Sequence, residues 1–104
     1  MEASTCAYWH HRTARRTPLG SREAPPVLLV ASAHDPVTPI EGARAMRRHL
    51  PGSRLITLTD DYSHGVFSSR GNACVDNAVA AYLVDGALPP AGLRCTGPGL
   101  PRVP

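Results

Sequence analysis

The chain has no long hydrophobic run. None of its 104 residues belongs to a stretch that reaches the roughly 18 apolar residues of a membrane span. Near the N-terminus, Trp9, His10, His11 and Arg12 stand where a signal peptide has an apolar core. We therefore expect no membrane association and, in the sequence as written, no export signal, so that the cellular location is left open.

A complete set of metal ligands is also missing. Cys6, His10 and His11 are close in sequence, but no second cluster at ligand spacing completes a four-ligand site. The basic segment from His10 to Arg16 has no aromatic platform or recognition helix beside it, which favours a disordered tail over contact with nucleic acid. The sequence thus predicts no metal, no cofactor and no nucleic-acid partner.

Length and proline content limit the organisation to one small domain. The chain has 104 residues, a net charge of +3 and 11 prolines, eight of which fall at 18–26 and 89–104. We expect a basic, poorly ordered segment over residues 1–25, an ordered domain over residues 26–95 and a Pro- and Gly-rich tail over residues 96–104.

Three cysteines are an odd number, so one of them lacks a partner within the chain if the others pair. Cys74 and Cys95 flank a helix and its return loop and are the plausible pair, which leaves Cys6 over. Cysteines suited to a disulfide are expected in an exported protein, but this sequence as written shows no export signal. A truncated reading frame would explain why the two features occur together.

Two apolar runs predict buried parallel strands. The first, Val27–Ser32, shows no polar alternation, as expected of a strand covered on both faces. The second, Arg54–Thr59, begins about one βαβ period later, a repeat of roughly 30 residues. Because only these two strands are indicated, we expect an incomplete sheet.

Capping residues predict a helix after each strand. Thr38, Pro39 and Glu41 have the spacing of a capping box with an N-terminal proline, so a helix should begin at Pro39. Asn72 is suited to cap a second helix, and Gly86 is suited to end it. The predicted fold is therefore α/β, with the order βαβα and helices flanking the parallel strands.

An acid and a histidine follow the two strands. Asp35 comes just after the first strand and His64 just after the second, and the carboxyl ends of neighbouring parallel strands lie at one edge of a sheet. We expect their side chains to be in hydrogen-bond contact, as the acid and base of a catalytic triad are. Asp60 and Asp61 are also near His64, but we expect them to be solvated loop residues.

The third member of such a triad is absent. The nucleophile of an α/β-hydrolase stands in a G-x-S-x-G turn, and no serine of this chain has glycines two residues away on both sides. The serines are Ser4, Ser21, Ser32, Ser53, Ser63, Ser68 and Ser69. The residues thus favour part of a serine hydrolase that carries the acid and the base without the attacking group.

Several motifs carry a family resemblance. P-V-L-L-V, D-P-V-T-P, S-H-G-V-F and G-N-A-C-V, between Pro26 and Cys95, resemble the C-terminal domain of tripeptidyl aminopeptidase-like (TAP-like) α/β-hydrolases of actinobacteria. The resemblance implies the C-terminal portion of an α/β-hydrolase fold, with Asp35 as triad acid and His64 as triad base. It also implies a secreted serine peptidase that removes short peptides from free N-termini, and it supports the pairing of Cys74 with Cys95.

Two interpretations follow. In the first, the chain is the C-terminal part of a serine peptidase, inactive by itself, and meets a peptide substrate only when an N-terminal catalytic portion completes it. In the second, it is a stand-alone, non-catalytic binding or scaffold module derived from a hydrolase.

Overall fold

The computed structural model describes residues 7–10, 12 and 14–104, so Cys6 and His11 lie outside the described residues. Within residues 14–104 the elements alternate between strands and helices. In chain order they are β1 (Leu28–Ser32), α1 (Ile40–His49), β2 (Arg54–Thr59), α2 (Ala73–Asp85) and β3 (Arg94–Thr96). The predicted α/β class is confirmed.

The strands form one parallel sheet in the order β1-β2-β3. Leu28 pairs with Arg54 at the start of the β1 ladder, and Leu58 pairs with Cys95 in the short β3 ladder. The expectation of only two strands was wrong, because β3 adds a third. A strand of this length, between the turn at Ala91–Gly92 and Gly97, is too short to show a sequence period.

Alternate residues of the strands face two separate cores. Ile56 and Leu58 of β2 point to the side on which Val75 and Val79 of α2 pack, and Val66 and Cys95 complete that cluster. Leu55 points to the other side and packs with Ala31 and Ile40. The period of two along β2 therefore places one helix on each side of the sheet.

The helix ends agree with the sequence in one case and differ in the other. The Asn72 side chain accepts a hydrogen bond from the Val75 N–H at 3.2 Å, and Gly86 ends α2 in the left-handed conformation. The predicted capping box at α1 is wrong: the helix begins at Ile40 after Pro39, with no side-chain cap. The Thr38 hydroxyl is bonded elsewhere.

Two links attach the end of the chain to the body. A disulfide joins Cys74 of α2 to Cys95 of β3, with the Cα atoms 5.8 Å apart. Past β3, the Gly97 N–H donates to the carbonyl of Thr59 at 2.7 Å. A Cβ on Gly97 would lie 2.8 Å from that of Asp61, so the chain passes too close to the loop after β2 for a larger residue.

In the part of the chain that the structure describes, no helix has the length and apolar character needed to cross a membrane.

Candidate active site

The Asp35 carboxylate lies just past the end of β1 and accepts four hydrogen bonds. Its Oδ1 accepts from the backbone N–H groups of Val37 at 2.8 Å and Thr38 at 2.9 Å. Its Oδ2 accepts from the Thr38 hydroxyl at 2.8 Å and contacts His64 Nδ1 at 2.9 Å. The Asp-Pro turn after β1 thus wraps its own backbone around the carboxylate and holds it in one orientation.

These bonds keep Asp35 ionised. Burial of the side chain, which is 6% exposed, by itself raises the pKa of the Asp35 carboxyl. The hydrogen bonds from the Thr38 N–H, His64, the Val37 N–H and the Thr38 hydroxyl outweigh burial and hold that pKa well below its usual range. Asp35 is therefore a fixed negative charge at neutral pH.

The ionised Asp35 sets the tautomer of His64. A carboxylate can only accept, so the neutral imidazole carries its proton on Nδ1 and donates it to Asp35 Oδ2. Nε2 is then the basic nitrogen. The His64 side chain is 54% exposed, and no described residue is hydrogen-bonded to Nε2. A buried acid thus orients an accessible base, which is the arrangement needed to take a proton from a hydroxyl.

Thr38 belongs to this site, whereas its spacing from Glu41 predicted a helix cap. Its Oγ1 lies 2.8 Å from Asp35 Oδ2 and 3.2 Å from His64 Nδ1. Because the hydroxyl donates to the carboxylate, its lone pairs face the Nδ1–H, and that proton is shared between two oxygens. The sequence signal for this role is the spacing of three residues between Asp35 and Thr38. A threonine just before a helix that begins after proline shows the same local pattern whether it caps the helix or bonds to the acid.

Asp61 also differs from its expected position. It is 3% exposed, not solvated, and its Oδ2 accepts hydrogen bonds from the backbone N–H and the hydroxyl of Ser63. Its carbonyl oxygen accepts from the Ser32 hydroxyl at 2.7 Å and from the His34 N–H at 3.0 Å. Asp61 therefore connects the end of β1 to the loop that carries His64.

The hydrogen bonds around Asp61 lower the pKa of its carboxyl, as those around Asp35 do. Burial raises the pKa of the Asp61 carboxyl, while hydrogen bonds from Ser63, the nearby Ser32 hydroxyl and the charge of Arg70 together bring it below its ordinary value. A second fixed negative charge thus lies beneath the histidine loop.

A cavity of about 720 Å³ opens beside Asp35 and His64. The end of β1, the first turns of α1 and Gly65 and Val66 of the histidine loop form its walls. β1 is the outer strand of the described sheet on this side. Most of the lining is apolar, with Val37 and Met46 among the side chains. Such a volume is in the range of small-molecule sites, roughly 300–1,000 Å³.

The described residues provide no nucleophile at this site. None of their serine hydroxyls is hydrogen-bonded to His64, and those of Ser32 and Ser63 are bonded to Asp61. Nor do the described residues contain a group of three or more His, Cys, Asp and Glu side chains that could hold a metal ion. The arrangement of Asp35 and His64 can orient a base and stabilise its cation.

Comparison with known proteins shows to which family the chain belongs. The family model described as TAP-like protein matches residues 1–95. The chain belongs to the TAP-like family. This membership agrees with the α/β fold and with a hydrolase ancestry.

Curated relatives are similar over most of this TAP-like chain. Carboxylesterase B of Mycobacterium tuberculosis is 41% identical over 91 residues, which is 86% of the chain and 17% of the relative. Tripeptidyl aminopeptidase of Streptomyces coelicolor is 38% identical over 100 residues, 93% of the chain and 18% of the relative. Serine protease Hip1 of Mycobacterium tuberculosis is 33% identical over 92 residues, 88% of the chain and 17% of the relative. The TAP-like chain thus spans less than a fifth of the length of these relatives.

Proposed function

We propose that this chain is the C-terminal part of a serine hydrolase and supplies the acid, Asp35, and the base, His64, of its catalytic triad. The observation that carries the proposal is the 2.9 Å contact between His64 Nδ1 and the buried carboxylate of Asp35, with the rest of the imidazole accessible. The nucleophilic serine would belong to an N-terminal catalytic portion, and the chain by itself would not hydrolyse substrate.

In the proposed reaction the serine Oγ attacks the carbonyl carbon of the substrate while His64 Nε2 takes its proton. The imidazolium that forms carries its positive charge next to Asp35, which stabilises it and keeps the ring in place. His64 then gives the proton to the leaving group as the acyl–enzyme forms. Water, activated by the same nitrogen, releases the acyl group and regenerates the serine.

The proposed substrates are peptides with a free N-terminus. The matched relatives are named as a tripeptidyl aminopeptidase, a carboxylesterase and a serine protease. Hydrolysis of an amide or an ester is the kind of reaction that these names have in common. The mostly apolar cavity next to His64 has room for side chains of a short peptide.

A non-catalytic binding or scaffold module is the competing proposal. It is favoured by one observation, that no serine hydroxyl of the described residues is bonded to His64. The two proposals differ in what His64 does once a nucleophile is present, so a completed enzyme distinguishes them.

The decisive experiment is a chimaera. The C-terminal segment of the Streptomyces coelicolor tripeptidyl aminopeptidase that matches this chain is replaced by the chain itself, and turnover of a tripeptide p-nitroanilide is measured. We expect activity in the chimaera, and a loss of about 10⁴-fold or more in His64→Ala. His49→Ala, which removes an exposed histidine at the end of α1, is the matched control and should keep full activity.

A folded, active chimaera whose turnover does not depend on His64 would contradict the proposal. A folded chimaera without activity would favour the non-catalytic module.

A further inference from the structure

A second cavity lies at the opposite end of the sheet from His64. It has a volume of about 620 Å³ and is bounded by the last turns of α1, the turn before β2 and the beginnings of β2 and β3. Asp35 and His64 follow the carboxyl ends of β1 and β2 and do not line it. The side chains that set its character are five arginines: Arg44, Arg47 and Arg48 of α1, Arg54 of β2 and Arg94 of β3. We call it the arginine cavity.

The charge of the arginine cavity is not balanced by the protein. Five of the chain's 11 basic residues line it, and no aspartate or glutamate does. Among the described residues, no arginine is within ion-pair distance of a carboxylate. Positive charges brought together by three different elements repel one another, and an anion bound between them would offset that repulsion.

Local structure explains only part of this cluster. Arg47 and Arg48 stand in the last turn of α1, where cations interact favourably with the helix dipole. That reason does not extend to Arg54 and Arg94, which stand at the start of strands. Arg94 pairs in register with Thr57, so it shares the sheet face that α1 partly covers and extends the positive surface past the helix.

Arg54 has an unsatisfied donor. Its Nη1 makes two long hydrogen bonds, to the carbonyls of Gly52 at 3.3 Å and Ser53 at 3.4 Å. Its Nε is buried and has no partner. A buried donor without an acceptor costs free energy, and a bound oxyanion that reached it would remove that cost. This observation is independent of the charge count, and it indicates a missing acceptor at the beginning of β2, the strand end that borders the arginine cavity.

We propose that the arginine cavity binds an anion that carries two or more oxyanion groups, as in a diphosphate or a polycarboxylate. The guanidinium fork donates two parallel hydrogen bonds to phosphate or carboxylate oxygens, which makes arginine well suited to both. A cavity of about 620 Å³ is several times larger than one phosphate ion, and its arginines approach from three elements. A ligand with several charged groups spans them. This site does not depend on the proposed hydrolase function.

Calorimetric titration of the 104-residue chain tests the proposal, with inorganic pyrophosphate and citrate as probes. At about 0.15 M salt, where exposed charges are screened beyond roughly 8 Å, we expect saturable, equimolar binding of one probe or both. The expected Kd is below about 1 mM. Tighter binding of pyrophosphate identifies a phosphate ligand, and tighter binding of citrate identifies a polycarboxylate.

Arginine variants locate the site. Arg54→Gln and Arg94→Gln should each weaken binding about tenfold or more, the loss expected for one charge-assisted hydrogen bond. Arg102→Gln removes the same charge outside the cavity and is the matched control, which should keep the wild-type affinity. Circular dichroism verifies that each variant is folded. If Arg54→Gln does not fold, Arg94→Gln and Arg47→Gln carry the test, because both residues are exposed.

Two results would overturn the proposal. One is the absence of saturable binding of both probes up to about 10 mM. The other is an equal loss of affinity in Arg102→Gln and in the cavity variants, which would mean that only the overall charge attracts the anion.

Discussion

The two faces of the sheet are covered by buried side chains to different degrees. On the α2 face, six buried side chains form one cluster, and the disulfide links α2 to β3. On the α1 face the cluster of buried side chains among the described residues has three members. Both cavities border α1, one at its first turns and one at its last turns. The α2 face is therefore the part that stabilises the fold, and the α1 face leaves groups accessible.

The difference has its origin in the side chains of the two helices. α2 presents Val75 and Val79 to the sheet, both fully or almost fully buried. α1 buries Ile40, while Ala43 next along the same face is small and only partly buried. Since stabilisation grows with buried apolar area, α1 contributes less to it. Substitutions around α1 should change activity or binding more than stability, and changes on the α2 face should do the reverse.

The largest expected effect tests the α1 side. Asp35→Asn in the chimaera should lower kcat/KM about 10⁴-fold, because an amide no longer fixes the tautomer of His64 or stabilises its cation. The free energy of unfolding should fall by only about 1–3 kcal/mol, because the amide oxygen still accepts from the Val37 and Thr38 N–H groups and only the bonds to Oδ2 are lost. Kinetics and urea unfolding of the same preparation measure both quantities. A large loss of stability with a small loss of activity would break the comparison between the faces.

The second effect tests the α2 side. Cys74→Ser together with Cys95→Ser should lower the free energy of unfolding by about 3 kcal/mol, as expected for a closed loop of this length. The Tm of the chain should fall by roughly 12–24 °C. Met46→Ala, which shortens a partly exposed side chain beside the active-site cavity, should cost much less.

Reduction provides the control for the disulfide. Wild-type chain in dithiothreitol should unfold at the same temperature as the double variant, and the double variant should not respond to the reductant. Equal Tm values for oxidised wild type and double variant would mean that the α2 face does not depend on this link.

A smaller effect concerns Thr38. Thr38→Val keeps the shape of the side chain and removes the hydrogen bond to Asp35 Oδ2, so kcat in the chimaera should fall about tenfold while KM is unchanged. Thr38→Ser restores the hydroxyl and should recover most of the activity, which a purely structural role of the methyl group would not allow. An unchanged kcat in Thr38→Val would show that the backbone N–H groups hold Asp35 without it.

Much of this arrangement was predictable from the sequence because it depends on local patterns. The apolar runs of β1 and β2, Asn72 and Gly86 at the ends of α2, and the approach of Asp35 to His64 all follow from rules for parallel strands and helix caps. In each case the deciding residues are neighbours in sequence or follow adjacent strands.

The features that were missed depend on contacts between distant segments. β3 has three residues and is recognisable only by its pairing with β2. The burial of Asp61 requires Ser32, 29 positions earlier. The arginine cavity brings together residues of α1, β2 and β3. Sequence periodicity does not report such contacts, because each residue alone resembles a solvated one.

The smallest effect is on the pH dependence of stability. The pKa values of Asp35 and Asp61 are below their ordinary values in the folded chain, and an unfolded aspartate titrates near about 3.9. Between the folded and unfolded pKa values the unfolded chain binds more protons, so stability is full above about pH 5 and falls as the pH falls. Urea unfolding between about pH 3 and 7 should show this slope.

Single substitutions assign the slope to the two carboxylates. Asp61→Asn and Asp35→Asn should each flatten the pH profile of the free energy of unfolding, because an amide does not titrate while its oxygen still accepts from the backbone N–H groups. Asp85→Asn changes an exposed carboxyl at the end of α2 and is the matched control. The cluster on the α2 face contains no titratable side chain, since Cys95 is in the disulfide. Loss of stability in acid should therefore begin at the loops that carry Asp35 and His64. An unchanged slope in both variants would place the acid-sensitive groups elsewhere and remove this difference between the two faces.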